Sequence, residues 1–411
     1  MAAGKARFVF DAGLTLDRRG RIVEGIPRVE AAFAEALMQR RDIDVAFCRF
    51  RSRYGAFQYV PAETVREALQ APRSRGRAVD TADASKPHSG LRQFGKSVER
   101  AWRRHLFPPS NLVNWGDEGI HYLSVGAWWN HVDEEALRDP SGRRIARRVL
   151  MCHDTIPLLF PDYFDDPGAG PRFRRGLNLL SGAGLVLCNS RATRLDLEKA
   201  LDAAGLPRPA TVVTPLPPGI SPADTVPVRP AGFEPGRFVL SVGSISRRKN
   251  QEMLCTIWDR LASEPELADV RLVLVGAWGD QSAGLRKRLQ NDPQLSRRVM
   301  VRSDIADGEL AWLYRNCLFT LYPSFYEGWG LPIGESLAFG KFCVASNTSA
   351  MSEAGQGLCL HLAPDEPGVW HDAIRALLRE PEQLKSREQA TLRYRAPTWD
   401  EVVDQLKTMQ T

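Results

Sequence analysis

No apolar run in this chain approaches the ~18 residues that a membrane-spanning helix needs, and mean hydropathy is −0.29. C-x-x-C and H-E-x-x-H are both missing, so a dedicated zinc site is not expected. The seven cysteines, an odd number, stand singly, several of them inside apolar runs such as VLCN and AFCRF. That is cysteine used as a small hydrophobe in a reducing compartment, not a disulfide framework. No G-x-G-x-x-G occurs, which counts against a dinucleotide enzyme. Internal repeats and low-complexity tracts are absent as well. The opening MAAGKARFVFDAG turns polar at once and reads as a first strand, not as a signal peptide.

What is present is ordinary globular composition: 411 residues, 43% hydrophobic and 25% charged. That suits two domains of roughly 200 residues and excludes wholesale disorder. Net charge is +6, and residues 51–110, with 12 Lys+Arg against 5 Asp+Glu, carry the whole excess. Such a patch could meet nucleic acid, anionic lipid or an acidic substrate. Within it GLRQFGKS (90–97) satisfies the P-loop expression. A working P-loop needs a buried strand feeding its first glycine, and the preceding TADASKPHS cannot be one. The match reads as a basic loop entering a helix. Asp42-Ile43-Asp44 opens a strand instead of following one, a poor place for a metal-bridging acidic pair.

Short apolar runs alternate with helix-like stretches through most of the chain. ARFVFDA, DIDVAFCRF, GIHYLSVG, RRVLMCHD, GLVLCNS and ATVVTPL lie in the first half. RFVLSVGS, VRLVLVGAW, VMVRSDI, LFTLYPS, FCVASNTS and GLCLHLAP lie in the second. Most are apolar on both faces, as a parallel sheet covered by helices demands. With helices expected at 191–203, 250–262 and 367–379, the pattern predicts βαβ units, doubly wound. The Pro/Gly-dense PLPPGISPADTVPVRPAGFEPG separates the halves. The expected division is an N-terminal domain over 1–220, a C-terminal domain over 221–395, and a terminal helix over 396–411 that can cross back to the first domain. Thr398 is placed near that helix's N-cap. Open α/β sheets bind ligands beyond the carboxyl ends of their strands, so the loops after each strand are the ones to search.

Two such loops carry chemistry. After a strand placed at 317–322 comes Glu327-Gly328-Trp329-Gly330-Leu331, and Pro332 starts a helix to about Phe339, with Glu335 expected in its first turn. Glycines there let backbone N–H groups approach a ligand, and the helix start favours an anion. The plainer reading, acids stabilising the helix dipole, accounts for Glu335 but not for two glycines around a tryptophan. After the strand at 237–242, Gly243-Ser244 leads to Arg247, Arg248 and Lys249, ahead of a helix beginning near Asn250. Three cations at a helix N-terminus disfavour the dipole and ask for an anion, and a diphosphate fits that request. A solvated basic loop is the plainer alternative.

Segments 236–262 and 303–353 resemble the donor-binding half of retaining GT-B glycosyltransferases of family 4, whose E-x7-E pattern here runs from Glu327 to Glu335. GIPRVEAAFAEAL (25–37), HDTIPLLFPDYF (153–164) and CNSRATRLDLEKAL (188–201) resemble that family's N-domain, leaving 51–118 as the main unmatched stretch. The resemblance implies two Rossmann-like domains facing a cleft. It implies Glu327 at the donor sugar, Glu335 on the nucleotide ribose, and Arg248 and Lys249 on the diphosphate. Gly243, Ser244 and the backbone of Gly328, Trp329, Gly330 and Leu331 would complete the donor site. His153 would stand near the transferred sugar; without the resemblance it reads as a hydrogen-bonded core-edge histidine. Gly25, Arg28 and Asp154 would face the acceptor. Two departures stand out: Glu24-Gly25 replaces the family's paired glycines, and Ser244 stands where a further basic residue is common.

The reading is thus a retaining transferase that takes a hexose, mannose first, from a nucleotide-diphosphate sugar (GDP-mannose) to a glycan or lipid-linked acceptor in surface polysaccharide or lipopolysaccharide assembly. Neither cofactor nor metal is expected, and no nucleic acid partner. Within KSVERAWRRHLF (96–107), Val98, Ala101, Trp102, His105 and Leu106 follow helical spacing with Lys96, Arg100, Arg103 and Arg104 on other faces. That stretch is either an ordinary core-packing helix or an interfacial one on an anionic membrane. The expected location is cytoplasmic, peripheral on the inner face of the membrane. The rivals are a GT-B enzyme of other chemistry, an epimerase or phosphorylase, and a non-catalytic basic-patch binding protein.

Overall fold

The computed structural model describes residues 7–19, 25–71, 111–116, 119–130, 132, 134–138 and 147–409. Glu24, the GLRQFGKS match at 90–97 and the basic stretch 96–107 lie outside the described residues.

The apolar runs fold as expected into strands, the central ones buried from both sides. In the first domain these are β1 (Arg7–Asp11), β2 (Asp44–Arg51), β3 (Ala56–Val60), β4 (Ile120–Ser124), β5 (Arg148–Cys152), β6 (Leu185–Cys188) and β7 (Thr211–Val213). Every residue of β4, β5 and β6 is buried. They form one sheet in the order β3-β2-β1-β4-β5-β6-β7. The second domain holds β8 (Phe238–Val242), β9 (Arg271–Val275), β10 (Val299–Arg302), β11 (Thr320–Tyr322), β12 (Cys343–Ser346) and β13 (Leu360–Leu362). Their order is β10-β9-β8-β11-β12-β13, and every pairing in this sheet is parallel. In both sheets the winding reverses beside the first strand, at β1/β4 and at β8/β11. Each reversal opens a crevice at the strands' carboxyl ends.

One strand escaped the sequence reading. β3 pairs antiparallel with β2, so the first sheet is not wholly parallel. It is an edge strand whose last three residues are only half-buried, and its alternating, partly polar AFQYV lacks the doubly apolar signature. A tight turn makes the hairpin, with the Tyr54 N–H donating to the Arg51 carbonyl at 2.9 Å.

The helices at Arg191–Ala203, Gln251–Leu261 and Pro367–Arg379 match expectation to within a residue. The last helix, Trp399–Asp404, starts at a capping box in which Thr398 Oγ1 accepts from the Glu401 N–H. It packs against helix Ile26–Gln39 of the first domain. Trp399 meets Phe33 edge-on at 6.3 Å, and Arg40 reaches Asp404 at 2.7 Å. One hydrophobic cluster runs through both domains, joining Phe33 and Leu37 to Trp329, Ile333, Val402 and Val403.

Candidate active site

The reversal at β8/β11 decides what meets. It sets the loop after β8, which carries Arg247–Asn250, beside the loop after β11, which carries Pro323–Leu331. Backbone ties then lock the two together. The Phe325 N–H donates to the Arg248 carbonyl at 2.9 Å, and Asn250, in the left-handed conformation, donates its side-chain amide to the carbonyls of Pro323 and Pro364. The Thr348 hydroxyl donates to the Phe325 carbonyl and the Ser349 hydroxyl accepts from the Glu327 N–H, fixing the loop from the other side.

Glu327 is the product of this framing. Its Oε1 lies 2.8 Å from Arg248 Nη1 and 2.6 Å from Lys249 Nζ. Burial alone would raise its pKa, but Arg248 and Lys249 overcome that and bring it down to about 2. The carboxylate is therefore charged throughout the neutral range. Arg248 Nη1 also donates to the Tyr326 carbonyl at 2.7 Å, and Lys249 donates to the Tyr322 hydroxyl at 2.8 Å.

Here the sequence reading needs two corrections. The anion that the three cations call for is supplied, in this structure, by the protein's own Glu327. The trio also divides. Arg248 and Lys249 turn inward, whereas Arg247 is exposed and lines a separate pocket of about 370 Å³ with Arg260 and Glu252. Gly243 ends β8 and hydrogen-bonds Val275, and Ser244 gives its carbonyl to Gln251.

Across the crevice stands the loop after β5. His153 is 5% exposed, with Nε2 at 2.7 Å from the Val125 carbonyl. A carbonyl can only accept, so Nε2 carries the proton. Burial, partly offset by that bond, lowers the ring's pKa to about 4, so it is neutral at pH 7. As it stands the ring is a core-edge histidine with Nδ1 as its one lone pair. Asp154 caps the next turn, accepting from the Ile156 N–H at 3.0 Å. Burial raises its pKa against the pull of Arg248 from the second domain. Gly328 packs directly on the His153 carbonyl, and a Cβ there would overlap the oxygen. That close approach, not freedom of φ, is why glycine is needed.

Trp329 does not face the crevice. Its indole N–H donates to the Leu216 carbonyl at 3.1 Å, and the ring joins the shared cluster. Gly330 caps helix Leu331–Ala338. Glu335 is the fifth residue of that helix, beyond its first turn, because the helix already starts at Leu331. Its Oε2 accepts from the Tyr314 hydroxyl at 2.7 Å, and burial raises its pKa against the pull of Arg28. Gly25, at φ 59°, opens helix Ile26–Gln39. Arg28 on that helix spans the gap, reaching Asp307 at 2.6 Å and the Gly219 carbonyl at 3.1 Å. The structure thus groups Glu327, Arg248 and Lys249 with Asp154 and the His153 backbone, and sets Glu335 and Arg28 in a second polar cluster.

Residues 236–380 match the family model "Glycosyl transferases group 1". The chain carries a group 1 glycosyltransferase domain. Over 232 residues the chain is 26% identical to a serotype-specific mannosyltransferase WbdA of Escherichia coli, covering 54% of this chain and 28% of that protein. Over 262 residues it is 27% identical to an O-antigen chain mannosyltransferase B of Escherichia coli, covering 61% and 65% of the two chains. This chain therefore spans about a quarter of the first relative and about two thirds of the second. Among solved structures, sucrose-phosphate synthase from Thermosynechococcus elongatus superposes at TM-score 0.59, with 18% identity and 98% of both chains covered. The fold is GT-B.

Sequence reasoning passed over Thr193, Asp196, Tyr314, Tyr326 and Glu353. Thr193 and Asp196 lie in the CNSRATRLDLEKAL segment, and Tyr326 immediately precedes Glu327. Their partners are distant in sequence, so no spacing announces them.

A pH test follows from His153. A histidine whose folded pKa sits below its unfolded value stabilises the protein above pH 6.5, and that contribution is lost as pH falls through about 4. It amounts to roughly 3 kcal/mol over that window. Urea denaturation of wild type and His153→Gln at pH 7, 5.5 and 4 should show a flatter acid limb in the variant. Parallel curves would mean that His153 is not held neutral by the fold.

Proposed function

We propose that the protein is a retaining, metal-independent glycosyltransferase that moves mannose from GDP-mannose to a glycan or lipid-linked acceptor in surface-polysaccharide assembly. The observation that carries the reading is the buried, ionised Glu327 clamped by Arg248 and Lys249 at the reversal of a GT-B donor domain. Two relatives named as mannosyltransferases, one of an O-antigen chain, support the sugar.

In this reading the diphosphate enters against Arg248 and Lys249, whose charges stabilise it as it departs. The bond from the sugar's anomeric carbon to the phosphate oxygen breaks, and one to the acceptor oxygen forms on the same face. The acceptor's proton passes to the departing phosphate, leaving a nucleoside diphosphate and a glycoside of retained configuration. Glu327, charged at every physiological pH, faces the positive character that develops at the anomeric carbon. Glu335, oriented by Tyr314, addresses the ribose.

A thermal-shift panel of GDP-, UDP-, ADP- and dTDP-sugars tests the donor, since a ligand that binds the folded state raises its melting temperature by mass action. GDP-mannose should give the largest shift. Glu327→Gln should then abolish transfer while leaving nucleoside-diphosphate affinity nearly intact, and Glu335→Ala should chiefly weaken that affinity. Equal loss of affinity in both would overturn the division of labour.

Arg248→Ala and Lys249→Ala should each slow turnover by about 100-fold or more, the scale of losing charge stabilisation in a dry site. Activity should survive EDTA. Near wild-type rates in both variants, or a strict need for added divalent metal, would point to another leaving-group device.

We also propose that 96–107 rests on an anionic bilayer, because surface-glycan acceptors are commonly lipid-linked and each cation near such a leaflet adds ~1 kcal/mol. Flotation with anionic but not neutral liposomes at low salt, lost on Arg100/Arg103/Arg104→Ala, is the expected result. Equal flotation with both lipids would refute it.

A further inference from the structure

One turn of one helix in the first domain holds the Glu327 loop of the second. Helix Arg191–Ala203 begins at Ser190, whose hydroxyl accepts from the Thr193 N–H at 2.9 Å. The helix's next free donors are taken from across the crevice: Glu353 of the second domain accepts the Arg191 N–H at 2.9 Å and the Ala192 N–H at 3.0 Å. The buried Thr193 hydroxyl lies 3.2 Å from the Gly328 carbonyl and 3.3 Å from the His153 carbonyl, so it stands between the two domains. A turn further on, Asp196 accepts from the Tyr326 hydroxyl. Tyr326 and Gly328 are the two neighbours of Glu327.

We propose that Thr193, Asp196 and Glu353 are positioning residues for transfer: Thr193 holds the Gly328 carbonyl and Asp196 the Tyr326 hydroxyl on either side of Glu327, while Glu353 ties the start of their helix to the second domain, and together they set the Glu327 carboxylate against the acceptor domain. The proposal rests on Glu327 being the acid at the reacting sugar. Glu327 is already fixed within its own domain by Arg248 and Lys249, but those contacts say nothing of its placement relative to the N-terminal half. Among the described residues, hydrogen bonds from Tyr326 and to Gly328 connect its loop to the helix after β6, and Glu353 ties the start of that helix to the same domain. The carboxylate of Glu353 adds a favourable anion at that helix's N-terminus, so docking of the domains and capping of the helix are one event. A misplacement of about 1 Å at a reacting group can cost 100-fold in rate.

The test uses Thr193→Val, which removes one hydroxyl at constant shape, Tyr326→Phe, and Thr193→Ser as the conservative rescue. Each of the first two should lower kcat at least tenfold, with nucleoside-diphosphate Kd within twofold of wild type, and Thr193→Ser should recover most of the rate. Amide hydrogen exchange over residues 325–330 should speed up in the same two variants, a readout that needs no substrate. Wild-type kcat, a loss confined to Kd, or unchanged exchange would overturn the proposal. If wild-type protein transfers no sugar, the proposed function fails, and the exchange data alone decide whether the helix holds the loop. Should Thr193→Val fail to fold, Tyr326→Phe decides by the same measurements.

Discussion

Glu327 is 7% exposed yet ionised, and an isolated carboxylate in that position would cost several kcal/mol. The fold supplies what the charge requires, two cations within 2.8 Å, and both must be held in turn. Arg248 and Lys249 sit in a single tight turn between β8 and the following helix, and that turn is bonded to the loop after β11 through Phe325, Tyr326 and Asn250. Asp154 stands against the same cations, so the cluster holds two acids and two cations, and a buried group of that kind is weak evidence for a role in stability alone.

The same loop also packs closely against the first half of the molecule. Gly328 lies on the His153 carbonyl, Trp329 reaches back to the Leu216 carbonyl, and the shared hydrophobic cluster continues to Ile333 and the C-terminal helix. Apolar burial supplies the attraction, which is non-directional. The polar contacts at Thr193, Asp196, Glu353 and Arg28 supply the register. Loss of any one would leave the domains associated but free to settle at another angle.

Much of this was legible beforehand, for identifiable reasons. Most of the twelve strands read from the sequence carried the doubly apolar pattern that burial under helices imposes, while β3, half-buried at an edge, did not. Helix ends were legible where a capping residue marked them, as at Thr398. Glu327, Arg248 and Lys249 could be named because glycines and cations are anomalous where they stand. Their pairing could not, since it depends on β8 and β11 being neighbours, and strand order is absent from a linear pattern. For the same reason a diphosphate, or plain solvation, was what the three cations suggested, when a carboxylate some eighty residues along the chain stands against two of them. Thr193, Asp196 and Glu353 look like unremarkable helix residues until the other domain is set against them.

The arrangement also bears on how a substrate enters. Glu327 and Glu335 are 7% and 5% exposed, and Gly219 is pressed between Glu335 and the Arg28 side chain. For the sugar-nucleotide donor proposed above, reaching either acid would call for the domains to part. Besides part of the shared hydrophobic cluster, the described ties across the domains are hydrogen bonds and ion pairs such as the partly buried Arg28–Asp307. Such contacts are typically worth about 1 kcal/mol each net. That is weak enough to break one after another, whereas the Glu327 trio lies wholly within the second domain and survives the opening. A site built this way keeps its charges arranged while open and completes its geometry only on closing, so the conformation that excludes water is also the one that aligns the reacting groups.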